Sequence, residues 1–208
     1  MSITTYATLQ SAIADFLNRE DLTASIPTFI SLAEADMARR VRHWKMEARL
    51  VVSYDAQFED IPSDWVETIS LYLTDSDGPH QLDLISRADM MDQRFVSADT
   101  GGRPSFYSMS GGQFELYPTP DEAYPGELLY IQTIPALADD NTSNWLLTTA
   151  PDAYLYGALV HTAPYLKDDA RIQVWAALYQ SAIDSLNAAS KKSKNSGVGL
   201  RMKIRGLS

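Results

Sequence analysis

Apolar residues recur at every third or fourth position near the start of the chain. Leu9, Ile13, Phe16 and Leu17 form one stripe, which predicts an amphipathic helix capped by Thr4 or Thr5. Asn18-Arg19-Glu20-Asp21 ends it. The same period returns in Phe29, Ile30, Ala33, Met37 and Val41, with Ser25 as the expected cap and Pro27 in the first turn. Arg39, Arg40 and Arg42 crowd the end of this second helix, where cations suit the helix dipole.

From Lys45 the period changes to two. Leu50, Val52 and Tyr54 alternate with Val51 and Ser53, which predicts a strand. Phe58 to Pro62 reads as a short strand entering a turn, and Trp65 to Thr74 as a longer one. After the turn signal Asp75-Ser76-Asp77-Gly78, His80 to Ile85 is extended again. Ser86 is expected to cap a short helix, with Asp89 as its capping-box partner. Two alternating runs, Phe106 to Ser110 and Gln113 to Tyr117, flank Gly111-Gly112, a hairpin signal because both glycines can take positive φ. Pro118 and Pro120 stop the second run. Glu127 to Ile134 predicts a further strand, with Leu129 and Ile131 on one side and Leu128 and Tyr130 on the other.

Helical spacing then resumes. A short turn is expected from Asn144 to Leu147. A helix opened by Ala150-Pro151-Asp152 is expected to reach Leu166, bent by Pro164. Asp168 or Asp169 is expected to cap a last helix carrying Ile172, Trp175, Tyr179, Ile183 and Leu186. The order is helices, then strands, then helices, with no β-α-β alternation. It predicts an α+β fold, a helical bundle (1–44 and 145–190) with an inserted antiparallel β-domain (45–144). Residues 191–208 are expected to form an extended basic tail.

Charge adds an asymmetry to this outline. The net charge is −10, yet no acidic residue follows Asp184. Residues 185–208 carry +6 from Lys191, Lys192, Lys194, Arg201, Lys203 and Arg205, which leaves −16 for the rest of the chain. An acidic body repels phosphates, so general DNA coating is excluded, while DNA could slide past it without sticking. Lys191 to Gly199 is polar and reads as a linker. Leu200, Met202 and Ile204 then alternate with the three cations, a strand pattern too short to stand alone. It calls for a sheet edge in a partner or in its own body.

Candidate chemistry is sparse. There is no cysteine, which removes disulfides and thiolate sites together. His43, His80 and His161 lack metal-ligand spacing, so no metal or cofactor is expected. The pairs Asp139-Asp140 and Asp168-Asp169 suit loops and caps better than a catalytic dyad. There is no phosphate loop, no nucleophile elbow and no apolar run of membrane-spanning length, and the residues from Met1 to Thr5 give no expectation of a secretion signal. Tyr154 and Tyr156 flank Leu155 and are expected to face a neighbouring subunit, where tyrosine is favoured.

Several segments, taken together, resemble a known group. Thr5-Tyr6-Ala7-Thr8-Leu9-Gln10-Ser11-Ala12-Ile13, Ile26-Pro27-Thr28-Phe29-Ile30-Ser31-Leu32-Ala33-Glu34, the run Gly112 to Pro120 and the helix opening Ala150 to Leu159 occur in the order found in phage head-to-tail adaptors. The chain is similar to the tail tubular A, or gatekeeper, adaptors of short-tailed phages. The resemblance implies a non-enzymatic virion component in the neck, assembled in the host cytoplasm as a ring of about twelve copies. It would join the portal protein to the tail nozzle or tube and let DNA pass. It also gives the basic tail a partner, the portal. Two alternatives remain from the residues: a tail-completion protein bound to the tail tube, and a carboxylate-dependent cell-wall hydrolase.

Overall fold

A computed structural model describes residues 2–76, 78–96, 100–166 and 170–196. The fold is α+β. In chain order the helices are α1 (Tyr6–Leu17), α2 (Ile26–Arg40), α3 (Arg87–Val96), α4 (Trp145–Thr149), α5 (Pro151–Val160) and α6 (Arg171–Asn195). The strands are β1 (Glu47–Tyr54), β2 (Phe58–Asp60), β3 (Trp65–Asp75), β4 (Gly78–Gln81), β5 (Asp83–Leu84), β6 (Phe106–Ser110), β7 (Gln113–Tyr117) and β8 (Tyr124–Gln132). Two compact units result. One holds residues 1–45 and 134–208, the other residues 46–133.

In the helical unit, Thr5 caps α1 in a capping box. Its hydroxyl accepts from the N–H of Thr8, and the Thr8 hydroxyl accepts from the N–H of Thr5. Asn18 closes the helix at φ 49°, a left-handed position that asparagine tolerates. Leu9, Ile13 and Leu17 are buried, but Phe16 is 44% exposed at the last turn. Ser25 gives no side-chain cap to α2, because a 3-10 turn, Glu20–Ser25, runs straight into it. The stripe Phe29, Ile30, Ala33, Met37 and Val41 is wholly buried.

Helix α5 is the centre of this unit, with Ala153, Tyr154, Leu155, Gly157, Ala158 and Leu159 all buried. Gly157 lets three helices meet. A Cβ there would lie 3.2 Å from Ala33 Cβ and 3.1 Å from the Tyr179 ring. The helix ends at Val160, not Leu166. Pro164 has no N–H to continue the ladder, and a 3-10 turn, Ala163–Tyr165, follows.

Helix α6 buries Trp175, Tyr179, Ile183 and Leu186 as the stripe predicts. The linker expected from Lys191 does not begin there. The helix continues to Asn195, since Ala188, Ala189, Lys191 and Lys192 are good helix formers and no glycine intervenes before Gly197. Asp168 and Asp169, the expected caps, lie outside the described residues.

The β-unit has two four-stranded sheets, ordered β1-β8-β3-β4 and β2-β7-β6-β5. The last strand in sequence, β8, is interior to the first sheet, antiparallel to both β1 and β3. Residues of both sheets fill one core, including Tyr54, Leu71, Leu73, Phe114, Leu116, Leu128 and Tyr130. Gly111 and Gly112, at φ 62° and 86°, turn the β6–β7 hairpin. One pairing departs from the antiparallel rule: β5 runs parallel to β6. Parallel neighbours need a crossover, and α3 lies in the segment that supplies it. Ser86 caps α3 as expected, accepting from the N–H of Asp89 at 3.1 Å and donating to its carboxylate at 2.7 Å.

Candidate assembly surfaces

Beyond α2 the chain turns back onto α6 and is held there at three points. Asn187 Oδ1 accepts from the N–H of Arg42 at 2.8 Å, and its Nδ2 donates to the carbonyl of Arg40 at 3.1 Å. Buried Ser190 accepts from the N–H of Trp44 at 2.9 Å. This zipper brings Arg42 and Lys45 to the end of α6 that carries Lys191, Lys192 and Lys194, all of them exposed. His43 is buried, its ring stacked on Trp145 at 5.0 Å and tilted against Trp44 at 5.6 Å. Burial, reinforced by the charge of Lys45, holds the His43 pKa below its ordinary value. Lys45 Nζ lies 5.9 Å from the Trp44 ring and 5.8 Å from that of Trp145, and donates to the Thr149 hydroxyl at 3.2 Å. Trp44 remains 45% exposed among these cations.

Deeper in the helical unit, a polar network ties residues 134–144 to the helices. Glu34 Oε1 accepts from the N–H of Leu137 at 2.8 Å and from the Tyr154 hydroxyl at 3.2 Å. Asn144 Nδ2 donates to Tyr154 Oη and to the carbonyl of Pro135, each at 2.7 Å. Burial raises the Glu34 carboxyl above the usual range, although both hydrogen bonds oppose it. A raised carboxyl pKa means the folded chain holds its proton longer than the unfolded chain. Stability is therefore lost as pH rises through that window. Glu34→Gln keeps the acceptor and removes the charge. Its melting temperature should exceed that of the parent by a few degrees at pH 8, with the gap closing toward pH 4 in paired thermal melts.

In the β-unit, α3 is anchored from one side and bare on the other. Arg94 Nε donates to Glu115 at 3.1 Å, and its Nη2 donates to the carbonyl of Leu116 at 2.9 Å. The guanidinium also lies 5.3 Å from the Tyr117 ring. Only Met90 of this helix is buried, while Phe95 and Val96 are 82% and 85% exposed. Two such apolar side chains at a helix end suit contact with another protein.

The structure separates the residues singled out from sequence. Lys191, Lys192 and Lys194 join the strip around Trp44, whereas Leu200, Arg201, Met202, Lys203, Ile204 and Arg205 lie outside the described residues. Tyr154 does not face a neighbour. It is fully buried, because Asn144 and Glu34 satisfy its hydroxyl inside its own unit. Tyr156 is half-buried. Sequence reading missed Trp44 and Lys45. Their only local signal was an aromatic-basic pair beside the Arg39-Arg40-Arg42 run, which the helix dipole already explained. Among the described residues, no group of three potential metal ligands comes together, and no helix is long and apolar enough to cross a membrane.

The model of one protein family, described as the SU10 adaptor protein, matches residues 4–202. The chain belongs to the SU10 adaptor family. No curated protein matches it. As an SU10 adaptor it is a phage adaptor protein, a structural component of the virion. The family match spans residues of both compact units.

Proposed function

We propose that this adaptor forms a ring that joins the portal to the tail and lets DNA pass through its channel. The observation that carries the reading is the family match over residues 4–202. Three features support it. The helical unit has a basic strip at one end and acidic residues elsewhere, which suits repeated contact between copies. The β-unit offers Phe95 and Val96 for a tail component. A net charge of −10 keeps DNA from sticking as it passes. About twelve copies in the virion neck, assembled in the host cytoplasm, follow from the likeness to gatekeeper adaptors.

Residues 197–208 are the proposed portal anchor, by strand addition from Leu200 to Arg205. Removing them deletes no described element, and a melting temperature equal to that of the full chain would show that docking rather than folding is tested. Particles assembled with the truncated chain should hold packaged DNA but lose their tails in electron micrographs, and infectious titre should collapse. A pull-down with purified portal separates this from attachment to the tail tube. Full titre and normal portal capture by the truncated chain would refute the anchor.

A further inference from the structure

We infer that the basic strip around Trp44 is one half of a contact between two copies of this chain. The other half is the acidic cleft at the opposite end of α2. This rests on the ring reading above and names its interface.

The strip sets Arg42, Lys45 and a half-exposed tryptophan at the end of α6 that carries Lys191, Lys192 and Lys194, in a chain whose net charge is −10. The helix dipole accounts for cations at a helix end. It does not account for the three hydrogen bonds through Asn187 and Ser190 that hold a bare indole among them. An exposed tryptophan on a basic end of the unit is what a contact with an acidic surface uses, the aromatic for area and the charges for steering.

The same unit carries such a surface. An open cleft where α1 gives way to α2 is lined by Ala14, Asp15, Asn18, Arg19, Glu20 and Thr23. Arg19 is taken up by Asp21 at 2.6 Å. Among the described residues, Asp15 and Glu20 have no ion-pair partner, and Phe16 beside them is the exposed residue of the α1 stripe. Helix α2 has 15 residues and is about 22 Å long, with the strip past one end and the cleft before the other.

Like charges keep one strip off another, so a strip pairs with a cleft. A two-fold dimer can make that pairing twice over, whereas a head-to-tail contact lets each copy engage two neighbours and closes into a ring when its rotation does. The ring reading selects the head-to-tail form, and cross-linked species larger than dimers distinguish it from the two-fold pair. Duplex DNA is the rival occupant of a basic strip, but the −15 carried by the rest of the chain works against it.

The absence of cysteine makes the test clean. Particles would be assembled with Lys45→Cys, with Glu20→Cys and with both, then treated with a short bismaleimide. The double variant should give a ladder extending beyond dimers on a denaturing gel, and each single variant only monomers. Within one copy the two thiols are too far apart to be bridged. Lys45→Glu with Lys191→Glu should lower ring assembly about tenfold, and adding Asp15→Lys with Glu20→Lys should restore it. Dimers from Lys45→Cys alone would overturn the inference. So would no ladder from particles in which microscopy shows many copies, although the adaptor reading would then stand. Particles that lack the chain altogether would instead overturn the adaptor reading. Loss of binding to a labelled DNA duplex in the charge-reversed variant, with ring assembly unchanged, would assign the strip to DNA and overturn the inference.

Discussion

Gly126→Ala is expected to destabilise the β-unit by about 3 kcal/mol or more, at the upper end of what overpacking a core costs. Gly126 lies in β8, opposite Val52 on β1 and Leu73 on β3. A Cβ there would sit 2.3 Å and 2.6 Å from two ring carbons of Tyr54 and 2.6 Å from the carbonyl oxygen of Tyr72. The carbonyl belongs to the neighbouring strand and cannot move without breaking the ladder. The Tyr54 ring is itself fully buried, so it has no free direction in which to retreat. Urea unfolding followed by near-ultraviolet circular dichroism should show the loss. Tyr54→Phe alone should be close to neutral, because the buried Tyr54 hydroxyl has no hydrogen-bond partner to lose. A Gly126→Ala chain within about 1 kcal/mol of the parent would mean that β8 can shift to make room, contrary to the packing described here.

Arg94→Met should cost about 3–5 kcal/mol, the range for removing one partner of a buried ion pair. The Arg94 and Glu115 side chains are only 16% and 4% exposed. Without the guanidinium, Glu115 keeps, among the described residues, a single long side-chain contact, from Gln57 Nε2 at 3.3 Å. The carbonyl of Leu116 also loses a donor. The cost should therefore come from a stranded carboxylate rather than from lost attraction. Pairing Arg94→Met with Glu115→Leu should recover most of the loss, read from the midpoints of denaturant curves. A double variant no more stable than the single would disprove that account.

The hydrophobic pattern made the local elements legible. Stripes at helical spacing marked α1, α2 and α6. The pair Gly111-Gly112 marked the β6–β7 hairpin, because two adjacent glycines between alternating runs have few other uses. Ser86 read correctly as a helix cap, and Thr5 was one of the two caps expected for α1, since a cap involves only the residues next to it; the turn expected from Asn144 is a helix that Asn144 caps. The same reasoning misplaced Tyr154, whose periodicity looks like a surface flank. Its burial depends on Glu34 and Asn144, which are distant or outside the helix. It also ended α6 too early, reading polarity after Ser190 as a loop where the residues are good helix formers.

By itself, the sequence determined the α+β class, most helix and strand positions and the uneven charge. These depend on composition or on residues a few positions apart. Only the tertiary structure decided that β8 lies inside its sheet, that β5 pairs parallel to β6, and that the chain around Trp44 joins the lysines of α6. Each of those joins segments far apart in sequence, through backbone or side-chain hydrogen bonds that leave no periodic trace. The basic feature that the sequence assigned to the tail thus begins earlier, on a helix, and draws Arg42 and Lys45 into the same surface.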